Sequence, residues 1–130
     1  MSELYKLEIV SPEKSFFSSE SVIETVIPAF EGEIGVLKDH ISMISFLKPG
    51  LIKVSDKNGD KNFYVDDGII EFRDNLLSIL TSSIFDIKDF DKSLINENLK
   101  EAQKELENQD ISDQLRYLLS QKVDVLKSIS

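Results

Sequence analysis

The chain has 130 residues, with 24 acids against 15 Lys and Arg, one histidine, no cysteine and a formal net charge of −9 at pH 7. That length suits one domain with a short appendage, and it supports a core without disulfide or metal staples. The missing cysteines exclude disulfide scaffolds, thiolate metal sites and cysteine nucleophiles, and a lone histidine excludes a His-rich metal centre. The acidity argues against nucleic acid, whose affinity comes mainly from Lys and Arg placed on phosphates. No run approaches the roughly 20 apolar residues of a membrane helix. The opening MSELYKLEIVSPEK lacks the basic and apolar regions of a secretory signal, so a soluble cytoplasmic protein is expected.

In chain order, alternation of apolar and polar residues predicts a strand over residues 4–10, ended by Ser11-Pro12-Glu13. Val22, Ile23, Val26 and Ile27 form a second run that Pro28 should stop, since proline donates nothing to a ladder. Ile34 to Leu37 and Ile41 to Leu47 follow, then Lys48-Pro49-Gly50, in the order a type II turn favours. Leu51, Ile52 and Val54 lead to Asp56-Lys57-Asn58-Gly59-Asp60, a strong hairpin signal, and then to Phe63, Tyr64 and Val65. Asp66-Asp67-Gly68 separates these from Ile69 to Phe72, and Arg73-Asp74-Asn75 leads into Leu76 to Leu80. About eight to ten short strands with frequent turns, and no intervening helix, predict an antiparallel β-sandwich or barrel.

The chain changes character near residue 87. All five glycines and all three prolines lie at or before Gly68. Asp91 or Ser93 can cap a helix in which Ile95, Leu99, Ala102 and Leu106 recur at steps of 4, 3 and 4. Asn108-Gln109-Asp110 breaks that pattern. A second helix starting near Ser112 carries Leu115, Leu118, Leu119, Val123, Val125, Leu126 and Ile129, a stripe wider than a two-helix seam requires. The expectation is mainly β with an α appendage: a β-sandwich over 1–87 and an antiparallel helical hairpin over 88–130. The acidity is concentrated in the first region, which carries −7 against −2 for the second.

Chemistry is sparse. Asp39-His40 with Ser42 or Ser45 could be read as part of a hydrolytic relay, but no G-x-S-x-G turn is present. A polar histidine at a strand start is the favoured reading. Glu31-Gly32-Glu33 puts two carboxylates either side of a glycine: a cation site, an acid–base pair, a docking tip or a solvated turn. Catalytic carboxylates need burial to separate their pKa values, and nothing in the pattern supplies it. Phosphate-loop and dinucleotide fingerprints are absent. From the residues alone, the leading function is a non-enzymatic binding module.

Several ordered motifs together resemble one family. Glu31-Gly32-Glu33-Ile34-Gly35-Val36-Leu37, then Asp39-His40, then Leu47-Lys48-Pro49-Gly50, are similar to stretches of the ATP synthase epsilon subunit family. Leu7-Glu8-Ile9-Val10-Ser11-Pro12-Glu13 and Gly68-Ile69-Ile70-Glu71-Phe72 match two further family stretches. The family includes the bacterial and chloroplast epsilon subunits and the mitochondrial delta subunit. The resemblance implies a sandwich of about ten strands followed by two helices. It also implies a non-catalytic central-stalk subunit of a proton-translocating F-type ATP synthase, bound to the gamma subunit and the c-ring. Its helices would reach the alpha/beta catalytic head and inhibit ATP hydrolysis, and its place would be peripheral, at the cytoplasmic face of a bacterial membrane. The resemblance assigns Glu31, Gly32, Glu33 and His40 to the c-ring contact, and Lys100, Lys104, Arg116 and Lys122 to inhibitory contacts. No cofactor is implied. The ATP-binding motif of some relatives is degenerate here, retaining Asp91 but placing Leu94 and Ile95 where an Arg-Ala pair is needed to meet phosphate oxygens. The alternative from another class is a freestanding β-sandwich binding module with a helical appendage.

Overall fold

The computed structural model describes residues 3–89 and 91–130. Among these, nine strands are followed by two helices: β1 Tyr5–Val10, β2 Ser15–Ala29, β3 Gly32–Leu37, β4 Met43–Leu47, β5 Gly50–Asp56, β6 Gly59–Val65, β7 Gly68–Arg73, β8 Leu76–Leu80, β9 Ile84–Asp86, α1 Lys92–Leu106 and α2 Asp113–Ile129. The expected mainly β fold with a helical hairpin is what is observed, with nine described strands against an expectation of about ten. One pairing departs from the antiparallel pattern: β1 runs parallel to β8, Leu7 opposite Leu77 and Ile9 opposite Ile79.

β2 organises the sheet. Its first half pairs with β1, Tyr5 opposite Val22 and Ile9 opposite Phe17, and its second half pairs with β5 and β3. Register irregularities fall between Tyr5 and Leu7 on β1 and between Val22 and Glu24 on β2. A bulge bends its strand, which lets β2 pass from one layer to the other. β1, β8, β7 and β4 follow one another, and β2 contacts both ends of that series, so the sheet curls back on itself. Inward residues of both layers (Leu7, Ile9, Ile27, Ile52, Phe63, Phe72 and Ile79 among them) make one core.

The length of β2 was not legible in its composition. Ser15–Ser21 is rich in serine, and Pro28 should have ended the strand. Instead Pro28 stays in register opposite Glu33, and its carbonyl accepts from the Lys48 N–H at 3.0 Å. The pyrrolidine ring lies against Gly50, where an added Cβ would sit 2.5 Å from the Pro28 Cβ. This close approach, rather than a type II turn, requires glycine at residue 50, because Gly50 is not among the residues with positive φ. Gly68 is different: its φ is +155°, and an added Cβ would sit 2.7 Å from the Leu80 carbonyl oxygen. Glycine at residue 68 is therefore required by the backbone.

Asp91 caps α1 by accepting from the Ser93 N–H at 3.0 Å, and Ser112 caps α2 by accepting from the Leu115 N–H at 3.1 Å. The wide stripe of α2 is explained by its two partners. Leu119 and Val123 pack with Ala102 of α1, whereas Leu126 packs with Tyr64 of β6 and Ile95. The hairpin thus lies folded down on β5, β6 and β9.

Candidate functional site

The Glu31 tip is a two-residue turn. Ala29 pairs with Gly32, and Gly32 takes φ +128°, which only glycine adopts readily. The Phe30 N–H donates to the Phe46 carbonyl at 3.0 Å, pinning the turn against β4. Glu31 is exposed, but its carboxylate is held: the Ser45 hydroxyl lies 2.8 and 2.9 Å from its two oxygens. Glu33, two residues on, is also exposed. The result is a firmly oriented, negatively charged tip.

His40 is not brought to that tip. The six residues of β3 separate them by about 20 Å along the strand. There Asp39, at φ 67°, receives the Asn75 amide at 3.0 Å and donates its own N–H to Asn75 Oδ1 at 2.7 Å. The His40 ring meets the edge of Phe72 at 5.9 Å, and its Nδ1 is hydrogen-bonded to the Ile41 carbonyl at 2.8 Å. Ser45 gives its hydroxyl to Glu31, so the imagined relay of Ser45 with His40 is not assembled.

The sequence reading missed a second apolar surface. Ile44 and Phe46 on β4, Ile69 on β7 and Leu80 on β8 are 69%, 58%, 44% and 46% exposed, where full alternation would put polar groups. Phe46 pairs with Ile69, and Ile69 with Leu80, so three of them form a row across three strands. A groove of about 480 Å³ runs along this row, bordered by Pro12, Asp66, Asp67 and Leu118 of α2. The available signal was the unbroken runs Phe46-Leu47, Ile69-Ile70 and Ile79-Leu80, which put apolar side chains on both faces of a strand.

The four cations that the resemblance assigns to inhibitory contacts divide into three kinds. Lys100 and Lys104 are exposed. Arg116 is turned inward, donating to the carbonyls of Leu106 at 3.0 Å and Asn108 at 3.4 Å, so it satisfies the open end of α1. Lys122 pairs with Asp66 of the sandwich at 3.3 Å. At the degenerate nucleotide motif, Asp91 is spent as a cap, Leu94 faces solvent and Ile95 is buried beside Tyr64 and Leu126. Phe90, which opens that stretch, lies outside the described residues.

Burial also governs the two tyrosines that matter here. Burial pushes the Tyr5 hydroxyl up to about 12, although its hydrogen bond with Thr25 opposes the rise. Burial beneath the hairpin, with the Asp66 carboxylate beside it, holds the Tyr64 hydroxyl far above the ordinary phenol range. Both rings therefore stay neutral and act as hydrogen-bonding parts of the scaffold.

These features define a class: a β-sandwich bearing a helical hairpin, with an acidic tip and an uncovered apolar face suited to other proteins. Residues 4–87 match the family model described as the ATP synthase, Delta/Epsilon chain, beta-sandwich domain. The chain belongs to the ATP synthase delta/epsilon chain family. It is 62% identical over 130 residues, covering 100% of both chains, to a protein of Pelagibacter ubique named ATP synthase epsilon chain. It is 34% identical over 106 residues to the mitochondrial ATP synthase subunit delta of Schizosaccharomyces pombe, covering 80% of this chain and 64% of that one. Among solved structures, a chain of the Euglena gracilis mitochondrial ATP synthase, described as OSCP/F1/c-ring in rotational state 1, shares the fold. Its TM-score is 0.75 at 20% identity, covering 96% of this chain and 78% of that chain. No helix among the described residues is long and apolar enough to cross a membrane.

Proposed function

We propose that the chain works as the epsilon chain of a bacterial F-type ATP synthase, a non-catalytic rotor subunit that couples the c-ring and gamma subunit to the catalytic head. The observation that carries this reading is the end-to-end 62% identity to an ATP synthase epsilon chain. The division of labour follows the two regions, a docking sandwich over 1–87 and a regulatory hairpin over 88–130. The row Phe46, Ile69 and Leu80 supports docking on gamma, since an apolar patch of this kind on a small subunit needs a protein cover. The tip Glu31-Gly32-Glu33 is the part proposed to meet the c-ring, where oriented carboxylates suit a partner with basic loops. His40 lies at the opposite end of β3, away from both the tip and the apolar row, so the proposed c-ring contact is carried by Glu31, Gly32 and Glu33.

Of the four cations assigned to inhibitory contacts, Lys100 and Lys104 are the ones exposed to an acidic surface of the alpha/beta head without rearrangement. Inhibition of ATP hydrolysis by the hairpin is proposed on that basis. Attachment to the cytoplasmic face of the membrane would come only through the complex.

The test is reconstitution with gamma, the catalytic head and the c-ring in proton-tight vesicles. The full chain should bind gamma, and Phe46→Asp should abolish binding while leaving the fold intact. Glu31→Ala with Glu33→Ala should keep ATP hydrolysis but lower ATP-driven proton pumping. A full chain that fails to bind gamma would sink the assignment and restore the freestanding binding module.

A further inference from the structure

The hairpin is a separate mechanical unit. Ala102, Leu119 and Val123 give it a core of its own, composed only of helix and helix-turn residues. Among the described residues it meets the sandwich through one small apolar junction, in which Tyr64, Ile95 and Leu126 are the buried members. Beside that junction, one carboxylate collects two partners. Asp66, in the turn after β6, accepts from the Tyr64 hydroxyl at 2.8 Å and from Lys122 Nζ of α2 at 3.3 Å, both at Oδ1. The Lys122 and Asp66 side chains are only 23% and 32% exposed. A second, weaker tie runs from Lys48 Nζ to the Tyr117 hydroxyl at 3.3 Å.

We propose that Tyr64, Asp66 and Lys122 form a latch that sets how readily the whole hairpin lifts from the sandwich. Asp66 is the fixed jaw, held by the Tyr64 hydroxyl, and Lys122 is the moving one. A half-buried pair is screened less than a surface pair but still weakens with salt. While the hairpin is docked, the Lys122 ammonium is engaged, so it reaches an acidic partner only after the latch opens. That consequence rests on the proposed contact with the catalytic head; the latch itself does not.

The chain has no cysteine, so introduced thiols report cleanly. Leu126→Cys places a thiol in the hairpin–sandwich junction, and Ala102→Cys places one in the hairpin's own core. Labelling rates are measured on the full chain in each background, with and without Asp66→Asn or Lys122→Gln. Asp66→Asn keeps an acceptor for the Tyr64 hydroxyl while removing the charge. Either change should speed labelling at the Leu126 position roughly two- to fivefold, as expected for a pair worth up to about 1 kcal/mol, and leave the Ala102 position unchanged. Added salt should produce the same rise in the parent but not in Asp66→Asn. Asp66→Lys should open the junction further, and combining it with Lys122→Asp should restore slow labelling. No rise at the Leu126 position overturns the latch. So does an equal rise at both positions, because the hairpin would then be opening by its own unfolding.

Discussion

The sandwich and the hairpin are stabilised in different ways. In the sandwich, fifteen buried apolar residues from eight strands form one cluster among the described residues, and the sheet curls so that β2 touches both ends of a strand series. Among the described residues the hairpin rests on two clusters of three buried residues each, and one of those is shared with the sandwich. A core that every strand enters unfolds as a whole, whereas a small junction can open alone. Under the proposed latch, the first region serves as a platform and the second as a part whose position is set separately.

That contrast is broken or sharpened by a graded set of changes. The largest effect is expected for Phe63→Ala, which empties a site 2% exposed that is packed against the rings of Phe16 and Phe17. It should lower global stability by about 3–5 kcal/mol, read as a shift of the urea midpoint of the whole chain. Leu126→Ala should cost about 2–3 kcal/mol, at the lower end for such truncations because α2 can settle into the gap. Hydrogen exchange should place that loss in α1, α2 and the strand amides beneath them. If the sandwich amides lose protection equally, the two regions are one cooperative unit and the contrast fails.

Alkaline titration separates the regions differently. The Tyr5 hydroxyl is raised from 10 to about 12 by burial, so neutral Tyr5 is favoured in the folded sandwich. Its contribution is fully present below pH 10 and is lost as pH rises from 10 towards 12, amounting to about 2 kcal/mol. Tyr5→Phe should flatten the stability curve over that window, after subtraction of the alkaline loss that Tyr64 retains. A Tyr5→Phe curve as steep as the parent's would assign the alkaline loss elsewhere. The smallest effect is expected for Arg116→Met. It leaves the Leu106 and Asn108 carbonyls without their guanidinium donor and should cost about 1 kcal/mol. Circular dichroism during thermal unfolding should show this as an earlier loss of helix, with the strand signal unmoved.

Much of the local structure was legible in the residues. The hairpin at Asp56 to Gly59, the Asp74-Asn75 turn with both residues at positive φ, and the Asp91 and Ser112 caps all follow from side chains acting on their own backbone. What stayed hidden depended on distant partners. Ser15–Ser21 looks like a loop until β1 supplies its ladder, and Pro28 looks like a stop until Lys48 and Gly50 give it neighbours. Arg116 and Lys122 looked like free cations, yet one closes α1 and the other ties α2 to Asp66.

By itself the sequence determined the class of fold, the change near residue 87, the capped helices, the acidic tip and the family resemblance. All of these are carried by neighbours along the chain or by ordered motifs. The tertiary structure alone decided that β1 runs parallel to β8, that His40 and Glu31 lie at opposite ends of β3, and that Phe46, Ile69 and Leu80 form one row. It also decided that the hairpin lies folded down on the sandwich. Each of these depends on which residues far apart in sequence are brought together. Hydrophobic burial drives that choice without regard to direction, and only the packed chain resolves it.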